Sequence, residues 1–122
     1  MEKNLKLYDA EYRFACIVWD HEPVQSGELA RITEQILGWK RTTTYTVLKK
    51  LCTRKILQNE GSIVTSLVKQ REVQQYESRE VMQKNFGGSL PQFITAFLGN
   101  NSLSEKEAEE IKELIDRYKE KT

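Results

Sequence analysis

Hydrophobic residues recur at helical spacing in the first segment of the chain, at i, i+3, i+4 and i+7. They are Tyr12, Ala15, Cys16 and Trp19. The pattern predicts a helix that begins at Asp9, whose carboxylate can cap free N–H groups. The helix should end near His21, because Pro23 restricts the residue before it to extended backbone.

A second apolar face follows after a short turn. It consists of Leu29, Ile32, Ile36 and Leu37. Ser26 is the predicted N-cap, and Glu28 is well placed against the positive end of the helix. Gly38 is typical of the position just past a helix C-terminus, so we expect the second helix to stop there.

The third predicted helix runs from Lys40 to Arg54 and has two distinct arcs. One arc carries Thr44, Val47, Leu48 and Leu51. The opposite arc carries Thr42, Tyr45, Thr46, Lys49 and Thr53. Four threonines between positions 42 and 46 lower helix propensity. Short hydroxyl side chains beside lysine and arginine suit a helix that fits closely into a groove.

The period then changes, and two short β segments are predicted at Leu57–Glu60 and Ile63–Leu67, around Gly61-Ser62. Two strands alone are marginally stable, so this hairpin should pack on the helices. Three helices followed by a hairpin form a winged helix-turn-helix, in which the third helix is the recognition helix. The predicted fold is therefore mainly α, with a two-stranded wing and a C-terminal helical region.

The C-terminal half contains further helical patterns and two breaks. A loosely amphipathic segment from Gln70 to Phe86 is followed by Gly87-Gly88-Ser89, and a second break lies at 99–101. Ser104 and Glu107 form a capping box for the last helix. The apolar stripes need a partner, most simply a second copy of the chain. The predicted dimerisation residues are Leu90, Phe93, Ile94, Phe97, Leu98, Ile111, Ile115 and Tyr118. The expected domains are 1–69, which binds DNA, and 70–122, which dimerises.

Charge is distributed unevenly although the net charge is only +1. Residues 40–55 contain six basic residues and no acid. Such a local excess is typical of a surface that binds a polyanion, although a solvated helix face would also explain it. The predicted contacts with double-stranded DNA are Lys40, Arg41, Thr42, Thr43, Tyr45, Thr46, Lys49 and Lys50.

Enzymatic and metal chemistry find little support. His21 lies at a helix end, and Cys16 and Cys52 lie on apolar faces, so no nucleophile and base pair can be assembled. Two cysteines and one histidine are too few for a zinc site without carboxylates. We expect no enzyme activity, no cofactor and no metal. Apolar runs fall short of the roughly 20 residues that span a bilayer, and we expect a cytoplasmic protein.

Three groups of residues resemble the penicillinase and methicillin-resistance repressors, that is, the penicillinase repressor family. The first runs from Ala10-Glu11-Tyr12 to Ile17-Val18-Trp19. The second is Trp39 with the threonines of 43–46 and Leu48-Lys49-Lys50-Leu51. The third is Phe86-Gly87-Gly88-Ser89-Leu90, then Phe97, then Leu103-Ser104 with Glu107. The resemblance covers nearly the whole chain in the same order.

The resemblance implies a homodimeric repressor that binds an inverted-repeat operator. It also implies release by proteolysis in the dimerisation segment, triggered by a membrane sensor with a metalloprotease domain. The family's scissile bond aligns with Ala96–Phe97, where the family often has Asn before Phe. The short hairpin contains Glu60 where the family's wing is commonly basic. There is no cysteine after Cys52, so we do not expect the copper sensing of one branch.

Two alternatives stay open at this point. The main one is a winged-helix module that binds another protein and not DNA, and a small hydrolase is a distant second. The basic block at 40–55 separates the first from a repressor, since a protein-interaction module has no need for an acid-free basic helix.

Overall fold

The computed structural model describes residues 4–120, which form six helices and one small antiparallel sheet. In chain order the elements are α1 (Asp9–His21), β1 (Val24–Gln25), α2 (Ser26–Leu37), α3 (Arg41–Thr53), β2 (Leu57–Glu60), β3 (Ile63–Ser66), α4 (Gln70–Phe86), α5 (Leu90–Leu98) and α6 (Glu105–Tyr118). The predicted mainly α winged helix-turn-helix is confirmed.

The core lies between α1, α2, α3 and the sheet. Its fully enclosed side chains include Phe14, Val18, Leu29, Leu51, Ile56, Leu57, Val64 and Val73. Burying each of the larger ones stabilises the fold by roughly 1.5–3 kcal/mol. Trp19 closes one side, where its indole N–H donates to the carbonyl oxygen of Val68 at 3.0 Å. The apolar faces predicted for the first three helices therefore converge on one core.

The sheet has the strand order β1-β3-β2, and both pairings are antiparallel. In the hairpin Glu60 lies opposite Ile63, so Gly61 and Ser62 form a two-residue turn, with φ of 58° and 67°. Positive φ at both positions is characteristic of a type I′ turn. The hairpin is confirmed, with β3 ending at Ser66. The sequence reading did not predict β1, which pairs Val24 with Val64.

Two predicted helix N-caps are wrong by one residue. The N-cap of α1 is Tyr8, not Asp9, because Glu11 reaches back and accepts a hydrogen bond from the Tyr8 N–H at 2.8 Å. The N-cap of α2 is Gln25, not Ser26, and its side-chain oxygen accepts from the Glu28 N–H at 3.0 Å. A long side chain reaching the helix end has taken the capping role in both cases.

Two other helix-end predictions are confirmed. Gly38 ends α2 in the left-handed conformation, with φ of 72°. Ser104 is the N-cap of α6 and accepts from the Glu107 N–H at 3.1 Å, which is the first of the two bonds of the predicted capping box.

Among the described residues, those up to Val81 form one compact unit and those from Met82 onward form another. Val73, in the first half of α4, is fully buried in the core of the first unit. In the second unit the rings of Phe86 and Phe93 lie 5.3 Å apart, and those of Phe93 and Phe97 lie 5.9 Å apart. A functional boundary between residues 69 and 70 stays a prediction.

Candidate nucleic-acid interface

The turn between α2 and α3 fixes where the third helix begins. After Gly38, the Trp39 ring stacks on Phe14 with centroids 5.6 Å apart and planes inclined by 21°. Lys40 is the N-cap of α3 and has extended backbone. Because Phe14 is fully buried in α1, this stacking ties the start of α3 to the core.

The inner and outer sides of α3 differ as the sequence predicted. Thr44, Leu48 and Leu51 are buried. Thr42, Thr46 and Lys49 are exposed at i, i+4 and i+7, and we call these three residues the outward stripe. The Thr46 hydroxyl donates to the Thr42 carbonyl oxygen at 2.9 Å, so its oxygen keeps free lone pairs for a further donor. The outward stripe therefore presents methyl groups, hydroxyl oxygens and one ammonium group.

Arg41 and Tyr45 form a pair at one edge of α3. The Arg41 guanidinium lies over the Tyr45 ring, 5.3 Å from its centroid, and donates to the phenol oxygen at 3.3 Å. Tyr45 is half-buried, and its hydroxyl lies 3.5 Å from the hydroxyl oxygen of Ser26. Tyr45 thus holds Arg41 near the start of α2, and only part of its ring is open to a ligand.

Lys50 and Arg54 lie at the other edge of α3, beside α1. The Lys50 Nζ is 3.0 Å from Oε2 of Glu11, and Nη1 of Arg54 is 3.8 Å from Oε1. The Glu11 side chain is only 8% exposed. Burial alone raises the pKa of Glu11, but the Tyr8 N–H and the two cations outweigh it and hold the pKa below its ordinary value. Glu11 is the residue that sequence reasoning missed, although its position three residues after the N-cap is a recognisable capping signal.

The wing has little positive charge to offer a polyanion. No lysine or arginine lies between residues 56 and 68, and Glu60 stands at the start of the turn. The amide of Gln58 donates to the Glu60 carboxylate at 3.1 Å. The hairpin tip therefore presents a carboxylate and not a cation.

The predicted DNA contacts all lie on α3 or at its N-cap. Tyr45 is half-buried, and the remaining seven are exposed: Lys40, Arg41, Thr42, Thr43, Thr46, Lys49 and Lys50.

The second compact unit exposes several large apolar side chains. Those predicted for dimerisation and clearly exposed are Leu90, Ile94, Phe97, Ile115 and Tyr118, with Phe97 74% and Tyr118 75% exposed. Phe93, Leu98 and Ile111 are half-buried. Leu114, which the prediction omitted, is also exposed. Ala96 and Phe97, the predicted cleavage pair, lie within α5 and are both exposed.

Residues 4–120 contain no group of three or more histidine, cysteine or acidic side chains arranged to hold a metal ion. Within the same range, no helix combines the length and the apolar character needed to cross a membrane.

Comparison with known proteins agrees with this architecture. A penicillinase repressor from Bacillus licheniformis is 23% identical over 98% of this chain and 96% of its own length. One from Staphylococcus aureus is 20% identical over 93% of this chain and 94% of its own length. Residues 7–117 match the penicillinase repressor family, and this range extends over both compact units. The chain therefore belongs to the penicillinase repressor family.

Proposed function

We propose that this protein is a transcriptional repressor that binds an inverted-repeat DNA operator as a homodimer. The observation that carries the proposal is the exposed outward stripe on α3. The segment 40–55, which contains α3, has six basic residues and no acid. Membership of a repressor family supports the regulatory role. Both matched relatives are named penicillinase repressors, and each spans almost the same length as this chain.

The side chains of α3 divide into two roles. Thr42, Thr43 and Thr46 lie in the first half of the helix, where a recognition helix reaches base edges, and their methyl and hydroxyl groups suit thymine methyls and base acceptors. Lys40, Arg41 and Lys49 contact phosphates, which set position and affinity. Tyr45 supports Arg41. Lys50 also belongs to the predicted set of DNA contacts, but it is paired with Glu11 of α1.

The exposed apolar residues of the second unit support the dimer. Monomeric proteins seldom expose contiguous apolar patches of large size, so a second copy of this unit is the natural occupant. A dimer places two α3 helices on two half-sites of a palindromic operator. Cleavage between Ala96 and Phe97 would divide this apolar surface, and a protease coupled to a membrane sensor is the proposed partner for release.

A winged-helix module for protein binding is the alternative. This alternative would explain the fold, but it does not explain why the exposed face of α3 carries basic residues and no acid. The charge distribution therefore favours DNA.

The salt dependence of DNA binding tests the proposal. A dimer that places Lys40, Arg41 and Lys49 on DNA twice neutralises about six phosphates, which gives a log–log slope near −5. Binding to DNA from upstream of the protein's own gene is measured between about 50 and 200 mM salt, a range over which such contacts change affinity steeply. A slope shallower than about −2 contradicts the proposal. Lys106→Ala, in the acidic α6, is the control and should leave the slope unchanged.

A further inference from the structure

We propose that Glu11 is a positioning residue for DNA binding, because it holds Lys50 and Arg54 at the inner edge of α3 and keeps both cations away from phosphates. This inference rests on the proposed function. Under this inference the cations of the basic segment have two roles. Those on one side of α3 bind DNA, and those on the other side bind α1.

The two carboxylate oxygens of Glu11 are held differently, Oε1 by a hydrogen bond and Oε2 by an ion pair alone. Oε1 accepts from the Tyr8 N–H at 2.8 Å, which fixes the side chain at the start of α1. Oε2 then meets the Lys50 Nζ at 3.0 Å. A phosphate that drew Lys50 away would take the nearest countercharge from a carboxylate that is only 8% exposed and leave Arg54, 3.8 Å from Oε1, as its remaining cation. Weakening the pairing of a buried charge is unfavourable.

Arg54 makes more contacts with the α1 side of the protein than Lys50 does. Its Nη2 donates to the carbonyl oxygens of Lys6 at 2.7 Å and Asn4 at 3.2 Å, while Nη1 faces Glu11. The chain just before α1 and the C-terminal end of α3 are thereby joined. Releasing Arg54 to DNA would break these contacts together, so Arg54 serves the placement of α3.

Lys49 and Lys50 are neighbours in sequence but lie about 100° apart around the helix. Lys49 lies in the outward stripe, and Lys50 is directed towards α1 by Glu11. Both side chains are exposed, and sequence alone gives them the same role. The pair therefore offers a matched comparison, in which the same substitution is made at adjacent positions.

The decisive experiment compares Lys49→Gln with Lys50→Gln on random-sequence DNA over a range of salt concentrations. Lys49→Gln should make the slope shallower by about 2, one phosphate for each protomer. Lys50→Gln should leave the slope of the unmodified protein unchanged. If Lys50→Gln lowers the slope as much as Lys49→Gln does, Lys50 contacts DNA and the inference fails while the proposed function stands.

Glu11→Gln tests the same inference in the opposite direction. The amide oxygen can still accept from the Tyr8 N–H, but it no longer offers a charge to Lys50. Affinity for random DNA should rise, and the slope should become steeper by about 2 as both copies of Lys50 reach phosphates. The double variant Glu11→Gln/Lys50→Gln should return to the original slope.

The results of these experiments distinguish a failure of the inference about Glu11 from a failure of the proposed function. A Glu11→Gln protein that is folded by circular dichroism and keeps the original slope overturns the inference. If it does not fold, the comparison of Lys49→Gln with Lys50→Gln decides alone. A shallow slope in the unmodified protein, with no effect of Lys49→Gln, would refute the proposed function itself and not merely the role of Glu11.

Discussion

If α3 is the proposed recognition helix, substitutions of single side chains should separate sequence recognition from general affinity for DNA. Thr46 is exposed, and its hydroxyl and methyl groups are the parts of the outward stripe best suited to a base edge. Lys49, one turn further on, is proposed to contact phosphates, and such contacts carry no direct sequence information. The two residues should therefore respond differently to substitution.

Thr46→Ala should weaken binding to the operator by about 1–3 kcal/mol, the usual cost of a lost base contact, and leave binding to random DNA unchanged. The helix itself should not suffer, because alanine has the higher helix propensity. Fluorescence anisotropy with operator and scrambled duplexes measures both affinities. Thr53→Ala is the control, since Thr53 lies on the same arc at the last residue of α3. Equal losses on both duplexes would show that Thr46 does not read sequence.

At the scale of elements, Glu22 joins the end of α1 to β3. Its carboxylate accepts from the Ser66 N–H at 2.8 Å and from the Ser66 hydroxyl at 2.9 and 2.8 Å, and the Lys69 ammonium lies 3.5 Å away. Burial raises the pKa of Glu22, but these bonds and the ammonium outweigh it, and the pKa lies below its ordinary value of 4.5. Charged Glu22 thus stabilises the folded state.

Because the pKa of Glu22 is lower in the folded state, its stabilisation is present above pH 4.5 and is lost as the pH falls through the folded-state pKa. Glu22→Gln should lower the free energy of unfolding at pH 7 by about 1–2 kcal/mol. The variant should also lose less stability than the unmodified protein between pH 6 and pH 3. Urea unfolding at both pH values measures this. Glu34→Gln, at an exposed position of α2, should behave like the unmodified protein. If Glu22→Gln loses as much stability between pH 6 and pH 3 as the unmodified protein does, the Glu22 carboxylate does not contribute to the acid sensitivity.

The local elements could be predicted from the sequence, and the tertiary contacts could not. Helix periodicity, Gly38 and the hairpin turn are local signals, and each was found where expected. The strand β1 has two residues, too few for any alternation to be visible. It exists because β3 offers a free edge after the chain has folded back.

In the candidate site, too, the local features could be predicted from the sequence and the tertiary contacts could not. The outward stripe follows from the period of one helix, and its three residues are exposed as predicted, whereas Tyr45 of the same predicted arc is half-buried. The pairing of Glu11 with Lys50 joins residues far apart in sequence, and no spacing rule connects them. The half-burial of Tyr45 likewise depends on where Ser26 lies after packing.

At the scale of the whole molecule, the apolar surface of the second unit should control operator binding through the dimer. Phe97 is 74% exposed in the single chain, so replacing it removes little from the folding of that chain. Burying both copies in a dimer would contribute roughly 3–6 kcal/mol. In the proposed dimer, the two linked winged helices would bind two half-sites at high effective concentration.

Phe97→Asp should therefore yield folded monomers that have lost the operator. Sedimentation velocity measures the oligomeric state, circular dichroism measures the fold, and anisotropy measures binding. Gln92→Asp adds the same charge on the opposite side of α5 and should remain dimeric. A dimeric Phe97→Asp protein with normal operator binding would remove Phe97 from the interface and, with it, the support for release by cleavage there.

The location of Ala96 and Phe97 inside a helix has a kinetic consequence for the proposed release. An active-site cleft cannot usually enclose a peptide bond while that bond is part of a helical turn, so α5 must open before it is cut. With only 9 residues, α5 is short enough to be marginal on its own, and positive-φ glycines lie on either side of it, at Gly88 and Gly99. When opening and closing are fast relative to cleavage, the rate follows the population of opened helix. The lifetime of repression would then depend on how firmly the partner chain holds α5 closed, as well as on the amount of active protease.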